Sequence, residues 1–230
     1  MNSLFENWRA FISEEVEEPV TTLRIFDFDE TIAHTMGAVR VKAPDGSTAT
    51  LSGQKEFEQY MTQAAEKEGV KSYDPVDDLR KLNYKIDLSD FSIVKDPEEI
   101  KVVTNIMKQF SDDSRTYVMT ARRGNSLGPI LDYIQQIGID SSQVRPIATE
   151  GESKGDVMVA MMRNKIMSDG KSNIRRIEYY EDSQRNIDDV LSKICDNPAI
   201  NDIKPSDFEL VIYKVVKQSE DIYALQEIRC

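Results

Sequence analysis

Short apolar segments alternate along this chain with stretches whose apolar residues recur at threes and fours, and that alternation limits the possible folds more than any other feature. The strand-like segments are 22–28, 116–120, 144–148, 174–180 and 208–216. The first, Thr-Leu-Arg-Ile-Phe-Asp-Phe, is β-prone and apolar enough for a strand buried on both faces. Between the segments, Ile100, Val103, Ile106, Met107 and Phe110 share one helix face, as do Leu127, Ile130, Leu131, Ile134 and Ile137. Val157, Met158, Met161 and Met162 mark a further helix, and Ile187, Val190, Leu191 and Ile194 the last. Such stripes are core faces. Strands alternating with helices require right-handed crossovers, so the expected fold is α/β with a doubly wound parallel sheet.

Two intervals stand outside the alternation. Leu4, Phe5, Trp8, Phe11 and Ile12 sit at helical spacing ahead of an acidic run and Pro19, which reads as an amphipathic helix and linker over residues 1–20. That helix either packs on the outside of the domain or binds a protein partner. The main domain then spans 21–230, with an insertion over about 36–96. Within the insertion, 39–42 and 47–51 flank Pro44-Asp-Gly46, a hairpin signal. A helix with Phe57, Tyr60, Met61 and Ala64 on one face follows, and Asp96-Pro97 reads as the next helix start.

The 230 residues carry 29 Lys and Arg against 41 Asp and Glu, a net charge of -12. A surface this acidic repels phosphate backbones, so no long nucleic-acid polymer is expected as a partner, although a small basic pocket remains compatible. The two cysteines and one histidine exclude a Cys/His zinc site and disfavour a Ser-His-Asp triad. Cys230, as the last residue, is a poor place for a structural bridge, and the pattern fits a reducing cytoplasm. No apolar run approaches the length of a membrane span and no signal peptide is evident, so a soluble, cytoplasmic protein with no membrane partner is expected.

In a parallel sheet, ligands bind beyond the carboxyl ends of the strands, and four polar positions fall there. Asp27-x-Asp29-x-Thr31 closes the first strand, where two carboxylates can address one phosphorus atom, one attacking and the other moving the proton of the leaving oxygen. Thr120 ends the second strand, with a hydroxyl and neighbouring N–H groups for a phosphate oxygen, and Arg122 and Arg123 add positive charge. Lys154, at a helix start, can neutralise nucleophile and phosphate. Glu181-Asp182 ends the fourth strand, where adjacent acids need partners or a metal. Asp182 with Asp27 suits a magnesium ion, with Asn186 a turn further on. Singly, each has a plain reading as a cap, a turn or a solvated charge; in this order, each at a strand end, they reinforce one another.

The set resembles the haloacid dehalogenase superfamily of phosphohydrolases. Phe26-Asp-Phe-Asp-Glu-Thr-Ile32 is similar to its first motif, Val118-Met-Thr120 to the second, Lys154 to the third and Glu181-Asp182 to the fourth, over residues 22 to about 216. The resemblance implies Asp27 as nucleophile and Asp29 as general acid/base. It implies Thr120, Ala121 and Lys154 as phosphate ligands, and Mg2+ held by Asp27, Asp182 and the backbone carbonyl of Asp29. Thr31, Glu181, Asn186 and Arg122 would support them. Where the family often has a second Asp a turn after the fourth motif, this chain has Asn186, which leaves the completion of the metal site to Asn186 or Glu181. An Asp at the second catalytic position suits phosphatases and phosphomutases; family ATPases carry Thr there, and nothing in the insertion resembles the second sugar-phosphate site of a mutase.

Two branches of the family compete. Asp27 to His34 resembles the Asp-x-Asp-Glu-Thr protein serine/threonine phosphatases. Met119-Thr-Ala-Arg-Arg-Gly124 and Tyr180-Glu-Asp-Ser-Gln-Arg-Asn186 are similar to phosphatase domains of nucleic-acid repair proteins, including the Swiss Army Knife RNA repair-like group, and this match rests on two separate motifs. The expected activity is therefore phosphomonoester hydrolysis of a small substrate, such as a nucleotide or a nucleic-acid 3′-phosphate. A non-catalytic binding or virion-associated protein on the same fold is the alternative from another class, recommended only by the N-terminal helix.

Overall fold

The computed structural model describes residues 20–71, 75–165, 170–219 and 222–230. The expected N-terminal helix, and with it the expected partner site, lies outside them. In chain order the elements are β1 (Thr22–Phe26), β2 (Ala33–His34), β3 (Ala38–Lys42), β4 (Thr48–Ser52), α1 (Gly53–Glu68), α2 (Val76–Lys81), β5 (Lys85–Asp87) and β6 (Glu98–Glu99). There follow α3 (Lys101–Met107), β7 (Ser114–Thr120), α4 (Leu127–Gln136), β8 (Val144–Ala148), α5 (Lys154–Arg163), β9 (Arg176–Glu181), α6 (Gln184–Val190), α7 (Pro198–Asn201), β10 (Glu209–Ser219) and β11 (Ile222–Arg229).

The chain forms an α/β structure around a six-stranded sheet of order β11-β10-β9-β1-β7-β8. All pairings in it are parallel except that of β11 with β10. Side chains alternate across β1, as the pleat requires. Leu23 and Ile25 pack with the apolar faces of α5 and α6, whereas Phe26 packs with those of α3 and α4. Phe26, Tyr180 and Tyr213, paired across β1, β9 and β10, stack with ring centroids 4.3 and 4.8 Å apart. Such cross-strand pairs pin the register, here the register that brings the end of β1 beside the end of β9.

The insertion is joined to this body through β2, which pairs antiparallel with β6. Its hairpin forms as the Asp-Gly signal predicts, with Val39 opposite Leu51 and Val41 opposite Ala49, and β5 adds a third strand. Val39, Val41, Met61, Leu79, Tyr84 and Ile86 are buried together, apart from the two clusters against the main sheet. One expectation needs correcting. Asp96-Pro97 does not start a helix: Asp96 takes φ 41°, the chain forms β6, and α3 begins only at Lys101. The pairing of β6 with β2 competes successfully with the local helix signal.

The C-terminus departs further from expectation. The last strand runs on to Ser219 and returns as β11, with Ile212 opposite Ile228. This return carries Cys230 to the end of α6, where a π-helical turn, Leu191–Cys195, presents Cys195. The two cysteines are bridged, with Cα atoms 5.8 Å apart. A terminal cysteine thus makes a bridge after all, because the hairpin brings the chain end back onto the body. Disulfides persist in oxidising surroundings, which weighs against the cytoplasmic expectation. Among the described residues no helix is long and apolar enough to cross a membrane. The bridge closes a loop with sequence separation 35, for which chain entropy gives a stabilisation of about 3–4 kcal/mol. Cys195→Ser is therefore expected to lower the urea midpoint and to make it insensitive to reductant, whereas the wild type falls to the same midpoint when reduced.

Candidate active site

The carboxyl end of β1 faces that of its neighbour β9. Leaving β1, the chain builds β7 and β8 on one flank and only later crosses to β9 and β10 on the other. The β1/β9 crevice is thus where the connections diverge, the usual ligand position in such sheets. Asp27 continues the ladder by donating its N–H to the Tyr180 carbonyl at 2.9 Å. The chain then coils tightly, with Ile32 N–H bonded to the Phe28 carbonyl at 2.9 Å and Glu30 at φ 58°. This coil holds Asp27 and Asp29 at one mouth, both buried.

Lys154 is the first residue of α5 and is only 2% exposed. Its ammonium donates to Asp27 Oδ1 and, at 2.7 Å, to Glu181 Oε2. Glu181 is engaged at both oxygens: Oε2 also accepts from the Tyr179 hydroxyl, and Oε1 from Ser183 N–H at 3.0 Å. Burial opposes the Lys154 charge, but the carboxylates of Asp27 and Glu181 outweigh it and hold the ammonium protonated. Burial would likewise raise Glu181, yet Lys154 keeps it below its usual range. Asp27 is different. Burial, with the charges of Glu181 and Asp29, pushes its carboxyl well above the usual value despite Lys154.

The start of α5 is set by residues that no sequence signal singled out. Asp189, on α6, accepts from Ser153 Oγ at 2.8 Å and from Gly155 N–H at 2.9 Å. A Cβ on Gly155 would stand 2.8 Å from Lys193 Cγ and 3.0 Å from the Asp189 carbonyl, so only glycine lets α6 come this close. Ser153 could have been found from sequence as the N-cap of the helix that begins at Lys154; Asp189 could not.

Asp27, Glu181 and Asp182 each offer a carboxylate oxygen, all within 4.8 Å of one another. Both Glu181 oxygens already accept hydrogen bonds, so those of Asp182 and Asp27 are the readier donors to a cation. Asp27 Oδ2 is buried without a hydrogen-bond partner, as suits an oxygen whose lone pairs serve a metal ion or substrate. Carboxylate oxygens are hard donors, so the set fits a magnesium-type ion better than a thiophilic metal. Thr31 Oγ1 approaches Asp182 Oδ1 at 3.4 Å. Burial first, then Glu181 and Asp27, raise the Asp182 carboxyl well above its usual value. A carboxyl with a raised folded pKa stabilises the protein at low pH and loses that contribution as pH climbs through the folded value. Asp182→Asn is accordingly expected to raise the melting temperature of the metal-free protein at about pH 8. Any increment from a bound divalent cation, about 1.4 kcal/mol for wild type at tenfold Kd, should be lost in the same variant. Because the ligands must shed protons, that increment should shrink in the wild type as pH falls.

The remaining expected residues divide. Thr120 is fully buried at the end of β7, its hydroxyl accepting from Arg122 N–H at 3.2 Å. Ala121, Lys154, Arg122 and Asn186 line a cleft of about 500 Å3 between body and insertion, together with Asp29. Thr149, beyond β8, also lines it; its buried hydroxyl has no partner and was not anticipated. Arg122 reads in sequence as part of a basic turn, but its guanidinium forks onto Asp29, Nε to Oδ2 at 2.8 Å and Nη2 to Oδ1 at 2.6 Å. Asp29 Oδ1 also accepts from Thr35 Oγ1 at 2.8 Å.

No protein-family model matches the chain, and no curated protein does. One similar solved structure is that of the Legionella pneumophila effector Ceg4, crystallised with an N-terminal TEV protease cleavage sequence. It shares 14% identity at a TM-score of 0.38, over 88% of this chain and 89% of that one. A likeness so slight carries no weight for fold or activity. Chemically, the site joins a buried carboxylate, a buried ammonium and an oxygen set suited to a divalent cation; Asp29 and Lys154 reach the cleft, whose lining carries further cations in Arg80, Arg123 and Arg185.

Proposed function

We propose that the chain is a magnesium-dependent phosphomonoester hydrolase of the haloacid dehalogenase type, working through an aspartyl-phosphate on Asp27. The observation that carries this reading is Asp27 itself, with Oδ1 held by buried Lys154, Oδ2 unpartnered, and Asp182 alongside in the β1/β9 crevice. The parallel order β10-β9-β1-β7-β8, with helix-bearing apolar clusters on both faces, supports the doubly wound topology of that family.

In this scheme Asp27 attacks phosphorus, and the bond from phosphorus to the ester oxygen breaks. Asp29 gives that oxygen its proton, then takes one from the water that opens the aspartyl-phosphate, releasing inorganic phosphate and free Asp27. Lys154 neutralises Asp27 and the oxygens being transferred, and Glu181 holds Lys154 in place. Ala121 and Thr149, on the cleft wall, suit the remaining phosphate oxygens, with Thr120 bracing their loop. A magnesium ion held by Asp27, Asp182 and the Asp29 carbonyl would supply the positive charge that lets an anionic ester approach an anionic nucleophile.

The cleft volume is that of a small-ligand site. Arg80, Arg123 and Arg185 among its lining residues, with Phe57, Ile86 and Leu88, suit an anionic ester with an apolar face. A nucleotide or a nucleic-acid 3′-phosphate is the proposed substrate class. Hydrolysis of para-nitrophenyl phosphate with magnesium, and its loss with EDTA, is the expected result, followed by faster turnover of nucleotides or 3′-phosphorylated oligonucleotides than of phosphopeptides. Turnover undiminished by EDTA would contradict the metal site. Preference for phosphoserine peptides would move the assignment to the protein phosphatases.

A further inference from the structure

The contacts of Arg122 reach beyond Asp29. While Nε and Nη2 grip the carboxylate, Nη1 donates to the backbone carbonyls of Phe91 at 3.2 Å and Ile93 at 2.6 Å, both in the insertion. Nη2 also donates to Thr35 Oγ1 at 3.0 Å, where the chain enters the insertion. The guanidinium lies 5.3 Å from the Phe28 ring centroid and 5.1 Å from that of Phe91. Phe28 belongs to the catalytic loop and Phe91 to the 3₁₀ turn Ser89–Ser92 of the insertion. Every nitrogen of a buried arginine is thus committed, with two bonds to Asp29, two to the insertion and one to Thr35. A planar fork of this kind fixes the plane of a carboxylate in a way that a lysine cannot.

We infer that Arg122 is a positioning residue that couples the seating of the insertion to the aim of Asp29, so that the leaving group receives its proton only when the 3₁₀ turn is docked. The inference rests on the hydrolase reading above. Among the described residues Asp29 Oδ2 accepts from Arg122 Nε alone, and a carboxylate oxygen has room for a second partner. Asp29 also lines the cleft, so the fork can stay closed while that oxygen serves the leaving group. Losing the fork frees the carboxylate to rotate and, at the same time, unties the turn.

The expected signature is a loss that depends on the leaving group. Arg122→Lys should lower kcat/KM for an alkyl phosphate, whose alkoxide must be protonated, by about 100-fold, the scale of one positioned proton transfer. For para-nitrophenyl phosphate, whose leaving group departs unprotonated, the loss should be only a few-fold. Asp29→Asn should show the same asymmetry, and the double variant should be no worse than Asp29→Asn alone. A second readout needs no turnover. Asp29→Asn, which does not touch the 3₁₀ turn, should speed amide exchange there in the metal-free protein, notably at Phe91, whose N–H bonds the Leu88 carbonyl at 3.0 Å. Should Arg122→Lys fold poorly, Thr35→Val removes one bond from Asp29 and one from Arg122, and should show the same asymmetry to a smaller degree. Equal losses for both esters, additive losses in the double variant, or unchanged exchange at the turn would each overturn the coupling. Absence of magnesium-dependent turnover in the wild type would instead overturn the hydrolase reading, so the two failures are distinguishable.

Discussion

Asp27→Asn is expected to remove phosphohydrolase activity by a factor on the order of 10⁴ or more, the scale seen when an enzyme loses its covalent nucleophile. The amide that replaces the carboxylate has nearly its shape but neither its charge nor its nucleophilicity, so no aspartyl-phosphate forms. Folding should survive. Burial and neighbouring charges oppose ionisation of the Asp27 carboxyl, so a neutral amide of the same shape should cost the fold little. Lys154 keeps Glu181 as a partner at 2.7 Å. Circular dichroism and melting should therefore stay close to wild type while turnover of para-nitrophenyl phosphate vanishes. A variant that retains a tenth of wild-type activity would remove Asp27 from the mechanism.

Lys154→Met has the largest expected effect on stability. The ammonium is nearly inaccessible and bridges two buried carboxylates, Asp27 and Glu181. Removing one member of a buried ion cluster leaves uncompensated charge, at a cost of about 3–5 kcal/mol, which for a chain of this size lowers Tm by roughly 10 °C. The cost has a definite pH sign. Without Lys154 the Glu181 carboxyl would lose what holds it down and that of Asp27 would be raised further, so the deficit should be greatest at high pH and diminish as they protonate. Lys154→Met combined with Glu181→Gln should recover part of the stability, because one of the two carboxylates left without a cation is gone, but none of the activity. Urea unfolding across pH, together with the double variant, tests this. A deficit that is independent of pH would mean that Lys154 acts through packing alone.

What the sequence made legible was what repeats or sits at a strand end. The parallel strands announced themselves by apolar composition, and their ends located Asp27, Asp29, Lys154 and Glu181-Asp182 before any geometry was known. The Asp45-Gly46 turn likewise fixed its hairpin. Illegible features depend on partners distant in sequence. The fork of Arg122 onto Asp29 spans 93 positions, and nothing local distinguishes Arg122 from Arg123. Asp189 holds the start of α5 from another helix altogether. The β11 strand mixes polar and apolar residues, as an exposed edge strand does, so its period is weak. The Cys195–Cys230 bridge depends on that unrecognised return. Glu181 read as a metal ligand or a support; that it also anchors Lys154, 27 positions away, was not legible.

The most direct test of the central claim is to look for the covalent intermediate. Wild-type protein mixed with magnesium and substrate, quenched in acid within the first turnovers and digested, should yield a phosphorylated peptide whose fragments locate the phosphate on Asp27. Hydroxylamine should remove it, as it does any acyl phosphate, and Asp27→Asn should not form it. Steady turnover with no phosphate on Asp27 in quenched samples, or phosphate that resists hydroxylamine, would contradict the account.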